Sequence, residues 1–464
     1  MEKVVIAGAG LVGAFWSLAL KKRGFDVELY EKRPDMRDDA QKGGRSINLI
    51  ATSRALNAFT KAGVLNEVKK IVVPVTGRMM HSLEGDLTYQ PYGRDESECN
   101  YSVSRSLLNM TLLTEAQKVG VKLFFEKELE SLKPDEGFAI FSHKGDKQKV
   151  EFDRFFGADG AGSPTRRELL KLMPDVSESV EFIDSDYKEL LMPAGKEKDY
   201  PIEKKALHIW PRGDHMLMAL PNLDGSFTMT VYLPRTGERS FEKLKSEEDV
   251  SNFFKKYYKS SVAHMPDFEK EFFENPQGRL GTVRMSKWIY KDKVALIGDA
   301  AHAIVPFFGQ GMNCGLEDCT YLLNYMDLYQ GDWGQIFEAY DKNQRPNGNA
   351  IADMALENFV EMRDKVGDKN FLLKKAIEHK IEGLYPDKYR ARYGMVTYTL
   401  IPYKDAYAAG KIQDEILSIL AKGIESIDDV DFEKAEKLID EKFIPFLKKR
   451  EISIDRYREG VFEA

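Results

Sequence analysis

Two rhythms of apolar and polar positions alternate along this chain. Val4-Val5-Ile6-Ala7 is a short unbroken apolar run, the pattern of a strand buried on both faces. Gly8-Ala9-Gly10-Leu11-Val12-Gly13 follows, and a helical pattern through Trp16, Leu18 and Leu20 then stops at Gly24. Val27-Glu28-Leu29-Tyr30 predicts a second strand that ends at the acidic Glu31. Strand, glycine turn, helix, strand and acid compose a βαβ unit of a parallel sheet. Helices are predicted from Ser53 to Ala62 and from Ser106 to Lys118. Between them Pro74 to Tyr101, rich in Gly, Pro and aromatics, reads as loops or strands.

The rhythm changes between about 181 and 280, where apolar and polar residues alternate in places. His215-Met216-Leu217-Met218-Ala219-Leu220 predicts a strand, Asn222 to Gly225 a turn, and Phe227 to Leu233 its antiparallel partner. Lys293 to Gly298 returns to a buried strand, followed by a glycine-containing turn and a helix from about Gly311. From roughly 355 onward the chain reads as mostly helical and highly charged. There is no internal repeat and no low-complexity tract.

Three short segments carry candidate chemistry. In the first turn Gly8 permits the tight bend, Gly10 lets backbone approach a pyrophosphate, and Gly13 allows close helix–strand packing. The helix start offers unpaired N–H groups and the positive dipole end, and Glu31 can accept hydrogen bonds from a ribose. The second segment is Gly157-Ala158-Asp159-Gly160-Ala161-Gly162-Ser163-Pro164. Ser163 is an expected helix N-cap with Pro164 at the first helical position, which leaves Asp159 among small residues to be explained. In the third, Asp299 falls where a parallel strand ends, and Gly311-Met312-Asn313 opens a helix whose N-terminus could stabilise negative charge.

In this order the three segments resemble the single-component, FAD-dependent aromatic hydroxylases of the p-hydroxybenzoate hydroxylase type. Gly157-Ala158-Asp159-Gly160 matches that family's DG motif and Gly298-Asp299 its GD motif. More narrowly, several segments are similar to the kynurenine 3-monooxygenase family. They are Gly44-Arg45-Ser46-Ile47-Asn48-Leu49, Gln90-Pro91-Tyr92-Gly93 and Leu207-His208-Ile209-Trp210-Pro211-Arg212, with Val305 to Asn313, Asn358 to Arg363 and Tyr393 to Thr397. The resemblance covers roughly residues 1 to 410.

It implies an α/β fold: a Rossmann-like FAD-binding domain (1–75, 100–180 and 281–354), a mixed β-sheet substrate domain (76–99 and 181–280), and a C-terminal helical region (355–464). It also implies FAD contacts at Val12, Glu31, Arg33, Arg105, Leu129, Asp159, Asp299, Met312 and Asn313. Arg78 and Tyr92 would meet a substrate carboxylate, with Asn358 and Tyr393 completing the polar contacts. Leu207, Met216, Met218, Leu220, Thr230, Tyr232, Pro306 and Phe307 would line an aromatic pocket. The implied reaction is hydroxylation of L-kynurenine to 3-hydroxy-L-kynurenine with NADPH and O2, and it needs no catalytic side chain. A hydroxylase of another aromatic acid, or an FAD-binding reductase without oxygenase activity, stands as the alternative.

Without the resemblance, Arg78 is an ordinary surface arginine and Tyr92 and Tyr393 are half-buried core tyrosines whose hydroxyls need partners. Met216, Met218 and Leu220 could equally be plain sheet core. His302 is expected to be structural, and Cys314 and Cys319 to pack in the core.

Composition narrows the remaining choices. Of 464 residues 43% are hydrophobic, with 21 Tyr and 27 Phe, so wholesale disorder is excluded. Lys plus Arg is 68 against 75 Asp plus Glu, a net charge of −7 that argues against a nucleic-acid partner. Lys21-Lys22-Arg23 reads as a solvated helix end. Three cysteines make no disulfide framework and no zinc spacing, so no metal is expected and the expected compartment is a reducing cytoplasm. No apolar stretch reaches the ~18 residues of a membrane span. The charged tail through Lys448-Lys449-Arg450 lacks the C-terminal anchor of eukaryotic members, so a soluble bacterial-type version is expected.

Overall fold

A computed structural model describes residues 1–38, 48–364 and 368–457. The motif residues Gly44 to Ile47 lie outside the described residues. The chain divides into two compact units, each assembled from three separate stretches. One comprises 1–72, 102–183 and 279–352; the other comprises 73–101, 184–278 and 353–464, so the C-terminal helices share a unit with the second sheet.

The first unit is built on a six-stranded sheet ordered 289–290, 294–296, 154–157, 3–7, 26–30, 122–124. Every pairing is parallel except the edge hairpin of Ile289–Tyr290 with Val294–Leu296. Val4, Val5 and Ile6 are fully buried, which explains the unbroken apolar run. Helix Leu11–Lys22 buries Phe15, Trp16, Leu18 and Leu20 and ends two residues before Gly24, whose φ is +90°. Helices Ser53–Lys61 and Arg105–Lys118 form where apolar spacing predicts them.

An antiparallel three-stranded sheet, Glu128–Lys133, Phe138–His143 and Asp146–Glu151, escapes the sequence reading. Its last strand, Asp-Lys-Gln-Lys-Val-Glu, has one buried residue, so no apolar alternation announces it.

In the second unit six strands, the first of them from residue 184 on, run in the order 184–192, 227–234, 216–221, 206–211, 77–81, 87–91. The expected hairpin forms as Met216–Pro221 and Phe227–Pro234, closed where Asn222 N–H donates to Ser226 O and Gly225 takes φ +89°. Strict alternation gives this sheet two faces. Leu217, Ala219, Phe227, Met229, Val231 and Leu233 pack into a core with Val250, Phe254 and Phe268. Those last three belong to helices Glu247–Tyr257 and Phe268–Glu274, which the alternating reading of 181–280 overlooks. The signal was present: Ser246 and Asp249 form a capping box.

Candidate active site

Four adjacent parallel strands of the first unit end on the three motif segments and on Glu31. Ligands of open α/β sheets gather at such carboxyl ends. Gly8 adopts φ +100°, and a Cβ there would lie 2.4 Å from Ala158 O. At Gly13 a Cβ would lie 1.9 Å from Gly8 O, so helix and strand meet at backbone distance. At Gly10 a Cβ would meet nothing within 4 Å. Gly10 is also the N-cap of the helix and supplies no side-chain cap. An open approach to an uncapped helix start is a cradle for phosphate, and these residues fit a dinucleotide.

Glu31 is buried beside the turn. Its Oε2 accepts the Ala9 N–H at 2.9 Å, and its Oε1 accepts the backbone N–H and Nε–H of Arg33, each at 3.0 Å. The Arg33 side chain is otherwise 72% exposed. Arg105 is exposed in the first turn of its helix, and Leu129 is buried on the small antiparallel sheet opposite Phe141.

Asp159 has a local task. Its carboxylate accepts from the Ser163 hydroxyl, from Thr165 N–H at 2.9 Å and from Thr165 Oγ1 at 2.7 Å. Burial pushes its pKa up against those bonds. Ser163 Oγ in turn accepts the Arg166 N–H, and Pro164 sits at the first helical position, as the N-cap pattern predicts. Arg166 is a residue the sequence reading missed. Its guanidinium donates to Ala161 O at 2.6 Å and Ala300 O at 2.9 Å, and so ties the DG loop to the GD segment.

Gly298 takes φ +61° against Val12, which a Cβ would meet at 3.0 Å. Val12 also faces Gly315, so it wedges the glycine turn against the GD turn and the helix Gly311–Leu328. Asp299 is exposed at the start of a one-turn helix. Behind it Asp318 Oδ2 holds Gly298 N–H at 2.7 Å and His302 Nε2 at 2.6 Å, while Oδ1 takes Gln344 Nε2–H at 3.0 Å. Burial lowers the His302 pKa, yet Asp318 and Cys314 together raise it by more and the net shift is upward. Cys314 Sγ lies 3.8 Å from the other ring nitrogen of His302. The two ring nitrogens point in opposite directions, so this buried trio braces the GD turn.

Gly311, Met312 and Asn313 form the first turn of their helix, whose N-cap Gln310 makes no side-chain cap bond. The Asn313 side chain is already occupied. Its Oδ1 accepts Thr52 N–H and Oγ1–H, each at 2.9 Å, and its Nδ2 donates to Ile50 O and Gly309 O. Pro306 and Phe307 form the preceding 3-10 turn, with Phe307 buried.

In the second unit the expected strand residues gather on the sheet face opposite the core with Tyr92 packed against them, while Asn358 and Tyr393 stand on helices. Cross-strand register places Arg78 beside Leu207, Met218 beside Ile209 and Thr230, and Met216 beside Tyr232. Leu207, Met218, Leu220 and Tyr92 pack together with Val75, Met80 and Ile209. Met80 and Ile209 went unselected, although strand alternation would have found them. Tyr92 and Tyr393 stack with centroids 5.6 Å apart at 16°. The Arg78 guanidinium carbon lies 5.3 Å from one ring centroid and 5.4 Å from the other. Its Nε is buried without a hydrogen-bond partner, while the guanidinium also bonds the hydroxyls of Tyr92 and Tyr393. Burial holds the Tyr92 hydroxyl well above its usual pKa, hence protonated. Asn100 Nδ2 donates to Tyr393 Oη at 3.0 Å, whereas Asn358 reaches Met362 Sδ within its own helix at 3.6 Å.

The fold and its glycine cradle define an FAD-binding protein, and the family model described as FAD binding domain matches residues 1–355. Among curated proteins the chain is 42% identical over 452 residues to the kynurenine 3-monooxygenase of Myxococcus xanthus, covering 97% of each chain. It is 39% identical over 454 residues to the Dictyostelium discoideum protein of that name, covering 94% and 97%. The chain therefore belongs to the FAD binding domain family and, within it, to the kynurenine 3-monooxygenase family of flavoprotein monooxygenases. Solved structures share the fold. The tetrameric form of 2-methyl-3-hydroxypyridine-5-carboxylic acid oxygenase superposes with a TM-score of 0.64 at 20% identity, over 80% of this chain and 94% of that one. A Pseudomonas aeruginosa protein solved with 2-aminobenzoylacetate gives 0.63 at 19%, over 78% and 97%. No helix among the described residues is long and apolar enough to cross a membrane.

Proposed function

We propose that the chain converts L-kynurenine, NADPH, H+ and O2 into 3-hydroxy-L-kynurenine, NADP+ and H2O, with FAD held by the first unit and the amino acid recognised by the second. The observation that carries the substrate is the Arg78 guanidinium, set beside a stacked pair of tyrosine rings with its buried Nε–H unspent. A planar cation in that state suits a carboxylate, which it can meet with two parallel hydrogen bonds. Tyr92, Tyr393 and Asn358 supply further polar contacts. Leu207, Met216, Met218, Leu220, Thr230 and Tyr232 present a largely apolar face for the aromatic ring and keep water from it.

In the first unit Gly8, Gly10 and Gly13 admit the pyrophosphate, and Glu31 with Arg33 addresses the ribose. Arg105, Leu129, Asp159, Asp299 and the helix start at Gly311 to Asn313 complete the flavin contacts, Val12, Asp159 and Asn313 by shaping backbone around it. When bound, FAD supplies the hydride acceptance from NADPH and the activation of O2, so the protein orients, excludes water and needs no side-chain base.

Purified protein should be yellow, and L-kynurenine should accelerate its NADPH oxidation with formation of 3-hydroxykynurenine. Acceleration by a different aromatic acid alone would transfer the reading to that acid. NADPH oxidation without any hydroxylated product would make the protein a reductase.

A further inference from the structure

Tyr92 and Tyr393 reach Arg78 from segments some three hundred residues apart, and something must hold them in register. Each neighbours one end of a buried ion pair. Glu98 and Arg390 are 4% and 2% exposed, and Glu98 Oε1 meets Arg390 Nη1 at 2.9 Å. Glu98 lies in the turn that joins Tyr92 to Asn100. Its Oε2 accepts the Arg94 N–H at 3.0 Å, and Gly93 packs so closely that a Cβ would lie 2.1 Å from Glu98 Cβ. Arg390 precedes Tyr393 by less than one helical turn. Its Nε donates to Ile454 O at 2.7 Å, and its own carbonyl accepts Gln413 Nε2–H at 2.7 Å. Arg94 repeats the tie, with Nη2 donating to Tyr389 O at 2.6 Å and Nε 3.6 Å from Glu382. Glu382 in turn accepts the Ala391 N–H at 3.1 Å. The last described stretch joins as well, since Tyr457 N–H donates to Tyr398 O at 2.8 Å.

Burying both charges is poorly explained by stability, because desolvation consumes most of the Coulombic gain. Fixing one register among several is the better-attested use of such pairs. We propose that the Glu98–Arg390 pair, anchored to the C-terminal stretch through Ile454, is the positioning device of substrate recognition: it sets the spacing of Tyr92 and Tyr393 about Arg78. Neither member touches substrate. The inference rests on the reading of Arg78 as the carboxylate-binding cation.

The test uses full-length holoenzyme and L-kynurenine titrated anaerobically against the flavin spectrum, alongside steady-state kinetics. Glu98→Gln should weaken kynurenine binding on the order of tenfold or more, the scale of a broken buried pair. Its flavin content, kcat at saturation and kynurenine-free NADPH oxidation should match the parent. Arg390→Lys keeps the charge but cannot hold Glu98 and Ile454 together, and should show the same split; it decides the matter alone if Glu98→Gln yields no folded holoenzyme. Placed on Arg78→Ala, either change should add less than about twofold, because it acts through the same cation. Parental affinity in both single variants, with Arg78→Ala still impaired, overturns the positioning role and leaves the cation standing. Losses that multiply with Arg78→Ala also overturn it. Parental affinity in Arg78→Ala instead removes the cation and the inference built on it.

Discussion

At Gly10 an added side chain would enter open space, whereas at Gly13 it would lie 1.9 Å from a carbonyl oxygen. The two glycines therefore fail differently. Gly10→Val should fold and purify colourless, since its methyls occupy only the pyrophosphate's approach. Gly13→Ala should cost stability, visible as a lowered thermal midpoint even before flavin is added. A Gly10→Val protein with a full flavin complement would defeat the cofactor assignment. For Arg78→Ala the expected loss is roughly 2–5 kcal/mol of kynurenine binding, or about 30-fold and upward, with FAD retained. Arg78→Lys should recover only part of it, since an ammonium lacks the planar fork. An unchanged KM in Arg78→Ala would show that the carboxylate lies elsewhere. The glycine turn and Glu31 were legible because their meaning is local, carried by a spacing of some twenty residues. Arg166 was not, because its role exists only through Ala300 O, 134 residues away in the chain.

The strands of the second unit carry a pH dependence on their core side. His208 Nε2 lies 2.7 Å from Glu203 O, which can only accept, so that nitrogen bears the hydrogen. His208 Nδ1 then accepts from His81 Nε2 at 2.8 Å, and His81 Nδ1 is left buried without a partner. Burial, then His208 and Arg212, bring His81 down to about 4, and burial lowers His208 too. A native histidine that refuses a proton stabilises the fold fully above the unfolded value near 6.5, and that contribution drains away as pH falls towards 4. Urea unfolding between those limits should lose up to ~1.4 kcal/mol per pH unit for His81, and His81→Gln should flatten the profile by about one proton. An identical slope in the variant would show that His81 does not titrate there. Periodicity revealed the Met216–Pro221 and Phe227–Pro234 hairpin because one face is wholly core. It could not reveal strand Asp146–Glu151, whose two faces are both largely wet.

For the whole molecule, flavin and fold are linked. Anything that binds only the native chain stabilises it, by ~2.7 kcal/mol at a hundred times its dissociation constant. Added FAD should therefore raise the thermal midpoint of apoprotein in a concentration-dependent manner, and Gly10→Val should not respond. A midpoint indifferent to FAD would argue that the cradle does not hold it. The parallel sheet and its ligand end were readable from three motif segments, but the two-unit partition depends on pairings such as Arg154–Gly157 between Lys3–Ala7 and Val294–Leu296, which no local window contains.

That strand order also sets a clock for the ribosome. The first strand is complete at residue 7, its neighbour only at 157, and the GD strand and the helix at Gly311 come later still. At about 5–20 residues per second, roughly 15–60 seconds separate the emergence of the glycine turn from that of Asn313. Until Gly157 emerges, about halfway through that interval, the nascent chain exposes an apolar strand, Val4 to Ala7, with one flank unpaired. Flavin loading is thus necessarily a late event in the life of each molecule, and chaperone cover of the first strands should govern yield more than cofactor supply does.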